Sequence, residues 1–170
     1  MSEQNLAQPV LTLQEEIKVP QVICRQKVQE FGDLQIPAPY GVTMDPCTGK
    51  LKQKIVLEPK GEPQIRVVQI IPDKIIVIGV VPVLLLVDGK LVIQKLEVPF
   101  QGILKCPGAL PGDLVQLHDF QVEGFAVAPI QIPEDDCDSL RLHLILKVIV
   151  HYCIVVAKES ILRVQAAKPC

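Results

Sequence analysis

From residue 140 to residue 157 every second position is apolar or aromatic: Leu140, Leu142, Leu144, Leu146, Val148, Val150, Tyr152, Ile154 and Val156. Between them stand Arg141, His143, Lys147, His151 and Cys153, with Ile145, Ile149 and Val155 interspersed. A helix repeats its apolar face every ~3.6 residues, so a period of two predicts a long strand with one buried face and one mixed face. Asp88-Gly89, set between apolar runs at 74–87 and 90–98, is a two-residue hairpin signal. Shorter strands are predicted at 54–57, 65–71, 100–106 and 160–165, and a long one, bent near Gly124, at 113–131. Residues 12–31 predict one or two extended segments broken at Pro20. The stretches 37–41 and 45–49 read as loops, 107–112 as a compact turn and 133–138 as an acidic loop. Residues 1–11 show no apolar periodicity and read as a flexible arm.

Composition supports the same picture. Of 170 residues 49% are hydrophobic but only 4% aromatic, so the apolar content is largely Val, Ile and Leu, and its β-branched share favours strands. Fifteen prolines and ten glycines leave few windows long enough for a helix. The predicted fold is all-β, an antiparallel β-sandwich or open barrel with an extended N-terminal arm and a short C-terminal tail at 166–170. Segments and loops at 12–62 are expected to pack on a β domain at 63–165.

Charge narrows the partners. The net charge is −2, and Lys and Arg are scattered rather than clustered, which gives no footprint for nucleic acid or an anionic membrane. The apolar run 75–87 is shorter than the ~20 residues a membrane helix needs, and 142–157 is interrupted by His143, Lys147 and His151. No membrane insertion is expected. Residues 1–10 lack a basic segment followed by an apolar one, so no secretory signal is predicted.

Candidate chemistry is sparse. His151 and Cys153 share a strand face about 7 Å apart, but nothing close in sequence completes a metal site. The cluster Glu134, Asp135, Asp136 and Asp138 lacks the glycine and spaced oxygens of a calcium loop. Ser2, Ser139 and Ser160 are the only serines, and none lies in a Gly-x-Ser-x-Gly turn. Cys153 and His118 could form a dyad, without support from spacing. No phosphate-binding glycine motif occurs. The expectation is a protein without catalytic residues, cofactor or metal.

Six cysteines stand at 24, 47, 106, 137, 153 and 170. No pair has the Cys-x-x-Cys spacing of structural zinc. One reading leaves all six as free thiols. The other starts from position: Cys47 sits in a turn, Cys137 in the acidic loop, Cys170 at the end, and Cys24 in an N-terminal extended segment. These four are candidates for disulfides between subunits. Cys106 and Cys153 look like sheet residues, in disulfides or as buried thiols.

Three stretches carry a family likeness: Ile71-Pro72-Asp73-Lys74-Ile75-Ile76-Val77-Ile78-Gly79, then Val98-Pro99-Phe100, then Pro107-Gly108-Ala109-Leu110-Pro111-Gly112 followed by a strand with Val115 and His118. With the strand at 144–150 they resemble the SPOCS domain of clostridial spore-coat and exosporium assembly proteins, over about residues 63–165. The resemblance implies a β domain with no catalytic residues. Its motifs mark strands and turns, so it implies a fold better than an activity. The cysteines near both ends suit a building block, similar in design to the disulfide-linked endospore appendage subunits. The resulting expectation is a self-assembling subunit of a spore-surface layer or extracellular filament, partnered by itself and by other spore-coat proteins. The alternative is a monomeric SPOCS-type module that recruits spore-coat morphogenesis proteins.

Overall fold

The computed structural model describes residues 14–134 and 137–165. It is all-β: strands make up 78% of it, without helix, in one antiparallel seven-stranded sheet that does not close. In chain order the strands are β1 (Gln14–Pro37), β2 (Ile55–Pro59), β3 (Gln64–Ile71), β4 (Lys74–Val87), β5 (Lys90–Lys105), β6 (Leu114–Glu134) and β7 (Cys137–Gln165). They lie in the order β2-β4-β5-β1-β7-β6, with β3 also on β4. Among the described residues no helix is long and apolar enough to cross a membrane. The expected arm at 1–11 and tail at 166–170 lie outside the described residues.

Two groups of strands build the sheet. β7 pairs with β1 on one edge and β6 on the other. β4 pairs with β5 on one edge, while β3 takes the first half of its other edge and β2 the second half. Between the groups, β1 and β5 share a single register pair, Gly32 with Phe100. This seam is the narrowest junction in the sheet.

The core lies between the groups. Leu144, Leu146, Val148, Val150, Tyr152, Ile154 and Val156 on β7 are fully buried, as are Ile75, Val77, Val81, Val83 and Leu85 on β4. The period-two pattern thus holds where both strands cross the core. It lapses at Leu140, which is 57% exposed. At the seam Phe100 fills the space left by two glycines. A Cβ on Gly79 would lie 2.7 Å from Phe100 Cε1 and 2.8 Å from the Gln64 carbonyl oxygen; one on Gly32 would lie 2.9 Å from both Phe100 Cβ and Val148 Cγ1. Only glycine permits that approach.

The stretches 71–79 and 107–112 meet. Asp73 turns between β3 and β4 with φ at 62°. Its carboxylate accepts from the Gly108 amide at 2.7 Å, its amide donates to the Ala109 carbonyl at 3.0 Å, and its carbonyl accepts from the Cys106 amide at 2.9 Å.

Several expected breaks are absent. β1 runs through Pro20, which lies opposite Glu159. Among the described residues no strand pairs with the other edge of β1 there, so Pro20 sits on an edge segment, where proline is tolerated. β5 likewise runs through Pro99, joining two predicted strands, because β1 meets β5 only at the next residue. β7 is continuous from 137 to 165, so Cys137 and Asp138 of the expected acidic loop belong to β7, and Pro133 and Glu134 to β6. β6 is irregular at His118/Gln121, Val122/Gly124 and Pro133/Glu134 rather than at Gly124 alone. The segments expected to pack on the core supply β1, a central strand of the sheet.

Candidate functional site

A cluster of reactive side chains sits on the outer face of β7. Cys153 occupies an odd position, opposite the buried even face, and is half-buried. Its register partners are Lys27 on β1 and His118 on β6. Immediately after His118 the β6 ladder shifts, and Asp119 adopts φ of 58°. That left-handed conformation is costly for a non-glycine residue. It turns the Asp119 carboxylate back, so that Oδ2 lies 2.8 Å from His118 Nδ1. Donor atoms of His118, Asp119 and Cys153 all lie within 4.8 Å of one another.

These three side chains offer the donor set of a zinc-like site. Yet Arg25 and Lys27 line the same hollow with Gln26, His118, Asp119 and Cys153. Two fixed cations beside it oppose a divalent ion. The arrangement suits thiol chemistry better: an imidazole paired with a carboxylate stands near a half-buried thiol.

Sequence spacing points to His151, on the same strand, as the neighbour of Cys153 and gives a Cys153–His118 dyad no support; the fold brings His118 opposite Cys153 from the next strand. His118 and Cys153 can be matched only once the register of β6 on β7 is known, and the irregularities of β6 conceal it. His151 lies opposite Gln29 and Gln121, and His143 Nδ1 sits 3.4 Å from Gln35 Nε2.

The remaining cysteines divide sharply. Cys47 is exposed, as its turn predicted. The Asp45 carboxylate accepts from the Cys47 amide at 2.8 Å, and the Gly49 amide donates to the Asp45 carbonyl at 2.8 Å. This turn presents the thiol outward on a fixed loop. Cys24 does not reach outward: it is 8% exposed and belongs to the core. The irregularity between Val22 and Cys24 turns it inward. Cys106 is fully buried beside it, and burial, followed by its hydrogen bond with Cys24, pushes the Cys106 thiol up to about 12. The backbone of Cys137 opens β7 opposite Glu134, whereas Cys170 lies outside the described residues.

A second feature lies at the end of the sheet. Beyond Ala157, where β6 begins its pairing, the last residues of β7 pair only with residues 14–21 of β1 among the described residues. The result is a two-stranded ribbon roughly 27 Å long at ~3.4 Å per residue. Ile17, Ile161 and Leu162 are 47%, 61% and 54% exposed on it. Lys18–Glu159 at 3.6 Å and Arg163–Glu16 at 3.2 Å add exposed ion pairs across the strands. No family model matches the chain, and no curated protein or solved structure matches it either.

Proposed function

We propose that the chain is a structural subunit that assembles with copies of itself into a spore-surface layer or extracellular filament, through strand edges and disulfides between subunits. The observation that carries this reading is the ribbon. Its backbone edges have no strand beside them among the described residues, and its exposed Ile17, Ile161 and Leu162 gain from being covered. A strand from a second copy added to such an edge gains ladder hydrogen bonds and apolar burial together. Contacts of this head-to-tail kind propagate instead of closing. Cys47 on its fixed turn and Cys153 beside His118 are the described thiols open to covalent links; Cys137 and Cys170 remain candidates on their sequence positions. The spore-surface setting is supported by the stretches that resemble the SPOCS domain.

A second reading, a monomeric module that recruits other spore-coat proteins, is favoured by Pro20 and the two ion pairs, which blunt the ribbon. Electron microscopy and sedimentation of the purified full chain, with and without thiol reductant, separate the two. Assembly requires polymers in the wild type and their loss in an Ile17→Lys, Leu162→Lys variant whose circular dichroism is unchanged. A monodisperse monomer across salt, pH and oxidising conditions overturns it.

A further inference from the structure

Cys24, on β1, and Cys106, just past the end of β5, lie 82 positions apart in the sequence and among the core residues, yet their thiols are neighbours. Gln26 fixes their relation. Its amide Nε2 donates to Cys24 Sγ at 3.1 Å and to the Lys105 carbonyl at 2.5 Å, so the side chain of β1 is tied to the residue just before Cys106. Cys106 is held from its other side, by its amide bond to the Asp73 carbonyl and by the Ala109 amide donating to its own carbonyl at 3.0 Å. Both thiols are thus anchored, buried and within hydrogen-bonding reach of each other.

Their location gives the pair a purpose. β1 and β5 join the two strand groups through one register pair, Gly32 with Phe100. Cys24 lies on β1 before Gly32, and Cys106 lies after Phe100, just past the end of β5, so both stand on the same side of that single pair. A covalent link there would add a second junction to the seam. We propose that Cys24 and Cys106 form an intramolecular disulfide that locks the two halves of the sheet together.

The reaction is a thiol–disulfide exchange with a small disulfide oxidant of the oxidised-glutathione class. The two thiols give up two protons and two electrons and the Cys24–Cys106 sulfur–sulfur bond forms. The oxidant's own sulfur–sulfur bond breaks, and its sulfurs leave as two thiols. Because the folded pair is buried, the exchange takes place while the chain folds, before the core excludes the oxidant. The pairing withdraws Cys24 from links between subunits and does not depend on whether the chain assembles.

The test refolds reduced, full-length chain in a mixture of reduced and oxidised glutathione, blocks remaining thiols by alkylation under denaturing conditions and maps the peptides by mass spectrometry. The expected result is a linked pair of peptides holding Cys24 and Cys106, absent from both Cys24→Ser and Cys106→Ser. In wild type the oxidised chain should unfold at roughly 1–2 M more urea than the reduced chain, as closing a loop of this length implies. Recovery of both residues as alkylated thiols, or either one linked to a different cysteine, overturns the proposal. So does an unfolding midpoint in wild type that reductant leaves unchanged, a measurement that stands even if a serine variant fails to fold.

Discussion

Tyr152 stands in the middle of β7 with its side chain fully buried, and its hydroxyl is without a hydrogen-bond partner among the described residues. Its ring stacks on Phe120, with centroids 5.2 Å apart and planes 27° from parallel. Burial, and to a lesser degree the Glu30 carboxylate, pushes its phenol above the ordinary tyrosine range. Tyr152→Phe keeps the ring and removes only the stranded oxygen. A buried, unpaired hydroxyl costs about 1–3 kcal/mol in lost hydration. The void left by one oxygen, roughly 15 Å3, returns about 0.4 kcal/mol of that at ~24 cal/mol per Å3. The expected net effect is a stabilisation of about 1 kcal/mol. At a urea slope of about 2 kcal/mol per molar this raises the unfolding midpoint by roughly 0.5 M. The chain has no Trp, so far-ultraviolet circular dichroism is the suitable probe. A midpoint that falls by a similar amount, at unchanged slope, would refute the reasoning and mean that the hydroxyl has a hydrogen-bond partner in solution.

Three further outcomes follow from named contacts. Gly79→Ala drives a methyl group against Phe100 and should destabilise by about 1–3 kcal/mol; Phe100→Leu should recover part of that loss in the double variant, and additive effects in a urea-based mutant cycle would exclude the clash. Burial raises the Glu30 carboxyl above its ordinary 4.5, so the folded state holds that proton more tightly than the unfolded one. Its contribution is complete below the unfolded value and is lost as pH rises through the folded value. Glu30→Gln should therefore match wild type near pH 4 and exceed it at neutral pH, as read from unfolding midpoints across that range; an equal difference at both ends contradicts the assignment. In reduced native protein Cys47 should react with a maleimide first, Cys153 more slowly and Cys24 with Cys106 only on unfolding; labelling of Cys24 at the rate of Cys47 would mean that β1 is not seated as described.

The sequence made the all-β class and the buried face of β7 legible, because alternation is a local signal that burial on one face enforces; the unbroken apolar run of β4 showed a strand but not which face is buried. It misplaced the breaks at Pro20 and Pro99, since a proline interrupts a strand only where its missing amide would have met a partner. Which edges are paired is a property of the assembled sheet. Cys24 was misread for a related reason: the irregularity beside Val22 changes the face that the following residues present, and its sequence carries no glycine or turn residue to announce it. The pairing of His118 with Cys153 could be named from the sequence but not supported, and Asp119 was missed, because the cluster is made by register across β6 and β7.

The free edges of the sheet are protected to different degrees, and the difference locates where a neighbouring copy would add. β6 carries Pro129 and Pro133 and three irregularities along its length. β2 spans only Ile55–Pro59, and β3 is interrupted between Ile65 and Val67. On the ribbon, β1 is guarded by Pro20. The last residues of β7 have neither proline nor irregularity after Ala157, so an approaching strand meets a regular row of amides and carbonyls. Its defence is charge alone, from Lys158, Glu159 and Arg163, of which Glu159 and Arg163 are already engaged with β1. Exposed ion pairs of this kind contribute at most about 1 kcal/mol and are screened by salt. Covering Ile161 and Leu162 while completing the ladder outweighs them, so under the proposed self-assembly the β7 side of the ribbon is the edge at which a second copy would pair.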